Sequence, residues 1–284
     1  MIASIDPDIL DILRRWGVQP LEMTPTHDWA CFARRGEEDV VAKWGDPESR
    51  AREAAALRHF GGDAARLLES DDDAGVILVE RLLPGDDIAP LARTDDDAAT
   101  AVIAELIVRL HRDQAAPPAG IGLPDLAGIG SAFDLPADPR VPASLRERAR
   151  AVLDDLLADA PRPVVLHGDL HHFNVLRARW EDPPEWRCID PHGWAGDPAF
   201  EVAAMLANPR GLAEGDARGI DGSAMLRLAE RRRAILAEIT GFDPDRIRAW
   251  SFAGSVIAEL WMLESFDLVH GAPLALAEAT APTV

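Results

Sequence analysis

Apolar and polar positions change their spacing near residue 84, and the change predicts two lobes. Before it, the pattern opens with a short helix over Pro7–Trp16, because Asp6 can cap it, Pro7 suits the first helical position and Gly17 closes it. Trp29–Arg35 and Asp39–Trp44 read as strands, with Gly36-Glu37-Glu38 between them as a three-residue hairpin loop. Asp46-Pro47 starts a helix that runs to Phe60 and stops at Gly61-Gly62. Leu67–Ser70 and Val76–Glu80 form a further strand pair across Asp71-Asp72-Asp73. Residues 1–83 are therefore expected to form an antiparallel, β-rich lobe carrying one helix.

Beyond Leu83-Pro84-Gly85-Asp86 the spacing turns helical over Asp95–Arg112 and Pro142–Ala158, with a Pro- and Gly-rich irregular stretch from Ala115 to Pro142. Three short apolar strands, Val164–Leu166, Val175-Leu176 and Trp186–Ile189, flank polar loops. Helices resume at Pro198–Leu206, Ala224–Thr240 and Asp245 to about Val269. Residues 84–284 thus read as a larger helical lobe with polar loops between its short strands, which makes the fold class α+β. The acidic clusters Asp71–Asp73 and Asp95–Asp97 read as solvated turn and helix-start residues.

Chemistry concentrates in His167-Gly168-Asp169-Leu170-His171-His172-Phe173-Asn174, a polar loop held between apolar strands. Its residues fit H-x-D-L-x-x-x-N, in which the Asp orients or deprotonates a hydroxyl and the Asn holds magnesium. Asp190 ends a strand 16 residues after Asn174, and a hairpin could return it beside Asn174 as a second oxygen ligand. Lys43 ends the strand Val40-Val41-Ala42 and could reach the α- and β-phosphates of a nucleotide. Of the 29 basic residues all but Lys43 are Arg, so a site needing a compact ammonium is the natural reason for the exception. Glu53, Leu57 and Phe60 share one stripe of their helix, so Glu53 points inward and demands a partner, either Lys43 or the local Arg50. Glu80 and Leu82 stand where the lobes join. Their backbone could read an adenine edge, or the segment could be only a linker.

Composition narrows the partner. With 49 acidic against 29 basic side chains the net charge is −20, which disfavours nucleic acid and anionic membrane surfaces and favours a cationic small molecule. The apolar stretch Ser251–Leu263 is broken by Glu259 and falls short of the ~20 residues a bilayer needs. Two cysteines, Cys31 and Cys188, without CxxC spacing suggest neither disulfide nor zinc, and a soluble, cytoplasmic protein is expected.

The run H-G-D-L-H-H-x-N-V-L, followed by I-D-P-x-G and G-D-P-A-F-E-V-A, resembles the aminoglycoside phosphotransferase family, and within it the streptomycin and hydroxyurea phosphotransferase branch. The resemblance implies a protein-kinase-like two-lobe fold, ATP and magnesium, and transfer of the γ-phosphoryl group to a hydroxyl of a small, often cationic antibiotic. It makes Asp169 the catalytic base, Asn174 and Asp190 the magnesium ligands, Lys43 the phosphate contact and Glu53 its partner. Streptomycin is the first acceptor to consider; hydroxyurea, choline, homoserine and ketosamines are alternatives. The protein is expected to act as a monomer or homodimer. Two features depart from the pattern: Thr24–Trp29, the nucleotide-covering segment, has no glycine, and His192 follows Asp190-Pro191 where the branch often has Lys. Asp197 and Glu201 have a structural account as helix cap and first-turn acid. Glu259, Glu264 and Asp267 lie on the long C-terminal helix, either on a solvated face or facing cationic groups of the acceptor. A rival reading takes His167, Asp169, His171, His172, Asp190 and His192 as a transition-metal site for hydrolysis.

Overall fold

The computed structural model describes residues 5–24, 29–112, 117, 120–179, 185–209, 222–269 and 271–281. The helix α1 (Pro7–Arg15) has Asp6 as its cap, the carboxylate accepting from the Asp8 N–H at 2.8 Å. Strands β1 (Val18–Thr24), β2 (Trp29–Arg35) and β3 (Glu38–Trp44) follow, then α2 (Pro47–Phe60), β4 (Leu67–Asp71) and β5 (Val76–Glu80). They form one antiparallel sheet in the order β1-β2-β3-β5-β4. Arg35 pairs with Glu38, so the β2–β3 loop has two residues, Gly36-Glu37, rather than the three expected; Gly36 supplies the positive φ that so tight a turn requires.

Strand alternation sorts the side chains of this sheet. Val40, Ala42 and Trp44 of β3, with Val76 and Leu78 of β5, pack on Ile12 and Leu13 of α1. The opposite face carries Val41 and Lys43, with Lys43 paired in register to Ile77 of β5 and Ala30 of β2. On that face Ile77 and Val79 join Leu57 and Phe60 of α2.

The helical part comprises α3 (Ala89–Thr94), α4 (Asp96–Leu110), α5 (Ala143–Ala158), α6 (Val202–Leu206), α7 (Gly222–Thr240), α8 (Pro244–Phe266) and α9 (Ala272–Thr280). Between α5 and α6 lie the three-residue strands β6 (Val164–Leu166), β7 (Val175–Arg177), β8 (Trp186–Cys188) and β9 (Trp194–Gly196). β6 pairs with β9 and β7 with β8, both antiparallel. The short elements β1, β9 and α3, and α9 after it, are additions to what periodicity indicated. β9 and α3 are too brief to announce a period and α9 is too uniformly apolar, while β1 contains Pro20 and a register shift that break its alternation.

The apolar core of α2 and β5 is continuous with Ile103 and Ile107 of α4 and Val175 of β7. That continuity sets α2 against the loops described below. Asp96 overturns the reading of Asp95–Asp97 as solvated: it is buried and holds the equally buried Arg232 of α7, Oδ1 to Nη2 at 2.6 Å. Arg232 also donates to the carbonyls of Met205 and Asn208. Among the described residues no helix is long and apolar enough to cross a membrane.

Candidate active site

Two loops between the short strands make the floor of the cleft: residues 167–174, joining β6 to β7, and 189–193, joining β8 to β9. Backbone bonds stitch them together. His192 N–H donates to His167 O at 2.8 Å and Ile189 N–H to Asn174 O at 3.0 Å. The His167 ring locks the start of the first loop: Nε2 lies 2.8 Å from Ile189 O, and Nδ1 receives the Asp169 N–H at 3.2 Å. An acceptor at Nδ1 requires the hydrogen on Nε2, so His167 is neutral, and its complete burial pushes its pKa down.

Two glycines are required here by space as well as by φ. A Cβ on Gly168 (φ +80°) would sit 2.7 Å from Trp194 Cδ1, and one on Gly193 (φ +68°) 2.7 Å from Arg52 O. Asp190 takes φ +59° without being glycine, a strained setting typical of side chains that must be aimed.

Glu201 has a larger role than a first-turn acid. It is buried, and its Oε1 accepts the His167 N–H at 2.5 Å while Oε2 accepts the Gly168 N–H at 3.0 Å. Burial works against this carboxylate, but its bonds to His111 and to the loop outweigh it and hold its pKa below the ordinary value. The sequence signal was an acid three residues after a proline, indistinguishable from a common helix start. Asp197 has the structural place expected, accepting from Ala199 N–H and from Arg246 and Trp250.

The Asp169 carboxylate opens to the cleft. Its Oδ2 lies 3.4 Å from Asn174 Nδ2, 3.6 Å from His171 Nε2 and 3.7 Å from His192 Nε2. Asn174 Nδ2 also donates to Asp169 O at 2.9 Å, which turns its Oδ1 away from that carbonyl. Across the cleft, Lys43 Nζ donates to Glu53 Oε1 at 2.6 Å and to Asp190 Oδ1 at 2.8 Å. Arg50 donates to the other oxygen of Glu53, so the two partners considered for Glu53 are both engaged. Burial pulls the Lys43 ammonium down, yet Glu53 and Asp190 outweigh it and hold its pKa above the ordinary value. Asp190 is held below its ordinary value because Lys43 overcomes the effect of burial. Glu53, fully enclosed, is pushed up by burial despite both cations.

Two cavities meet at these groups. One, of about 240 Å³, is bordered by Val41, Leu57, Val79, Glu80, Leu82 and Ile189 among others. The Glu80 carboxylate is committed to Arg66 N–H at 2.8 Å and Arg187 at 3.1 Å, which leaves the main chain of this segment as the cavity's polar edge. The second, of about 210 Å³, is lined by Arg50, Asp169, His171, Asn174 and His192. Lys43, Glu53 and Asp190 border both. Residues 25–28 of the covering segment lie outside the described residues.

The structure does not bring Glu259, Glu264 or Asp267 to either cavity. Glu259 is buried rather than on a solvated face, and caps α9 by accepting the Gly271 N–H at 2.7 Å. Asp267, exposed at the end of α8, pairs with Arg140. Glu264 is exposed. Among the described residues no three or more His, Cys, Asp and Glu are grouped to hold a metal ion, so the histidine-rich hydrolase site has no ligand set there.

Comparison with known proteins decides the family. A profile described as aminoglycoside/hydroxyurea antibiotic resistance kinase matches residues 19–265. The chain belongs to that family. It is 37% identical to the streptomycin 6-kinase of Streptomyces griseus over 79% of this chain and 71% of the relative. It is 35% identical to the hydroxyurea phosphotransferase of Kitasatospora aureofaciens over 94% of this chain and 76% of the relative. Among solved structures, a thermostable mutant of aminoglycoside phosphotransferase APH(4)-Ia with ADP and hygromycin B superposes with a TM-score of 0.64 at 19% identity, over 96% of this chain and 99% of that one. Choline kinase LicA from Streptococcus pneumoniae gives 0.64 at 12% identity, over 97% and 98%. The protein-kinase-like fold is thus shared across the family and beyond it, and this family member is a small-molecule kinase.

Proposed function

We propose that the enzyme transfers the γ-phosphoryl group of ATP to a hydroxyl of a small cationic acceptor, an aminoglycoside such as streptomycin, in the cytoplasm. The observation that carries this reading is the meeting of the two cavities at Lys43, Glu53 and Asp190, with Asp169 facing the second. Adenine fits the first cavity, where main-chain groups of Glu80 and Leu82 can read its edge. Lys43, held by Glu53, meets the α- and β-phosphates.

The donor set also suits magnesium. Asn174 presents a carboxamide oxygen whose amide nitrogen is already engaged, and Asp190 a carboxylate already facing an ammonium, both the hard oxygen ligands that this ion prefers. Held by these two residues, magnesium would supply charge neutralisation along the polyphosphate. Asp169 aligns the acceptor hydroxyl and takes its proton as the oxygen bonds to the γ-phosphorus; the bond from that phosphorus to the bridging β,γ oxygen breaks, and ADP leaves. Placement and charge stabilisation supply most of the acceleration in such transfers.

The relative's longer alignment makes hydroxyurea the second acceptor to test, since the hydroxyurea phosphotransferase match spans 94% of this chain. A coupled ADP-release assay against streptomycin, hydroxyurea, choline and homoserine tests the proposal. Streptomycin-dependent ADP release is expected, and no release with any of these acceptors would reject the reading.

A further inference from the structure

We propose that Arg50 is a second phosphate-binding cation of the nucleotide site, contacting the terminal phosphates while Lys43 holds the inner ones. The inference rests on the kinase reading above and extends it to a residue that no motif marks. Arg50 sits in the first turns of α2, buried, with its guanidinium donating to Glu53. It borders the cavity that contains Asp169, His171 and Asn174, and it does not border the one beside Glu80 and Leu82. A nucleotide threading from the second of these to the first therefore passes Lys43 before it reaches Arg50. The order of cations matches the order of phosphates.

Charge supplies the need. Lys43, the single lysine of the sequence, already faces two carboxylates, Glu53 and Asp190. A triphosphate entering there meets a cation whose charge is shared twice over. The covering segment Thr24–Trp29 holds no glycine, so the close glycine-rich backbone cradle of many kinases is not encoded. Among the described residues Arg50 is the arginine lining the Asp169 cavity. While Nη1 holds Glu53, the buried Nε of Arg50 makes no hydrogen bond, so the planar fork can keep Glu53 and still donate to a phosphate oxygen, a division that a lysine could not reproduce with the same geometry.

The test is calorimetric titration of AMP, ADP and ATP into the full chain in EDTA, for the wild type, Arg50→Gln and Arg50→Lys. The expected result is about a tenfold loss of ATP affinity in Arg50→Gln, with AMP affinity changed less than about twofold and Arg50→Lys intermediate. Equal weakening of AMP and ATP would assign Arg50 to propping up Glu53 alone and overturn the inference, as would unchanged ATP binding in both variants. Should Arg50→Gln fail to fold, Arg50→Lys decides by the same AMP-to-ATP comparison. A wild type that binds none of the three nucleotides, either in EDTA or with magnesium added, would reject the kinase reading itself, and with it this inference. Wild-type binding with unaltered variants would reject this inference alone.

Discussion

At Asp169 the neighbours decide what the carboxylate can do. Its main chain is pinned through His167 and Asn174, while Oδ2 is left facing the cleft between two imidazoles. Asp169→Ala should therefore lower turnover by about 10²- to 10⁴-fold while ATP still binds, since the loop is held by backbone and not by this side chain. Steady-state rates with a parallel ATP titration check this. His167 carries a different prediction. Burial keeps it neutral in the fold, whereas unfolded it titrates near its ordinary value of 6.5. A folded pKa below the unfolded one means the unfolded chain takes up the proton first. Stability from this group is thus present in full above its unfolded value and is lost as pH falls below about 6.5, with a limiting slope of about 1.4 kcal/mol per pH unit. His167→Gln, which keeps a donor for Ile189 O, should show a shallower loss of stability than the wild type as pH falls below about 6.5 in denaturant titrations.

At the scale of elements, the site is a docking of α2 and α6 onto two loops. Glu201 enters from the turn before α6 and takes two consecutive N–H groups of the loop 167–174. In Glu201→Gln an amide N–H would face one of those donors. The loop would lose its fixed start, and kcat should fall about tenfold with the KM for ATP little changed. Gly193 lets the Asp190 loop approach the backbone of α2 at Arg52. Gly193→Ala should lower stability by about 1–3 kcal/mol, read as a reduced Tm, because a backbone oxygen cannot move aside as a side-chain tip can, and φ is positive there. Capping was readable in the sequence at Asp6, Asp46 and Asp197, each followed by Pro and then by a helical stretch, and all three cap as their spacing indicated. Asp96 and Glu259 were not readable, because an acid one residue into a helix, or on a long helix near its end, looks the same whether water or another helix lies beside it.

At the scale of the molecule, the lobes share an apolar core through α2, β5, α4 and β7, and the helical part is tied by the buried Asp96–Arg232 pair between α4 and α7. Removing one member leaves a buried charge alone. Asp96→Ala should lower the unfolding free energy by about 3–5 kcal/mol, measured by urea titration, and a change under 1 kcal/mol would contradict the role given to this pair.

Local chemistry, written in the order of residues, was enough to name the loop 167–174, the lone lysine on its strand and the inward stripe of Glu53, since helical and extended periods and a fixed Asp-to-Asn spacing act over a few residues. Which groups meet across the chain was decided only by packing. Lys43 reaches Asp190 over 147 positions, Glu201 reaches back 34 to the catalytic loop, and Arg232 finds Asp96 across 136. Burial and partnership are properties of surfaces brought together, and a one-dimensional pattern states only which face of an element turns inward, not what it will find there.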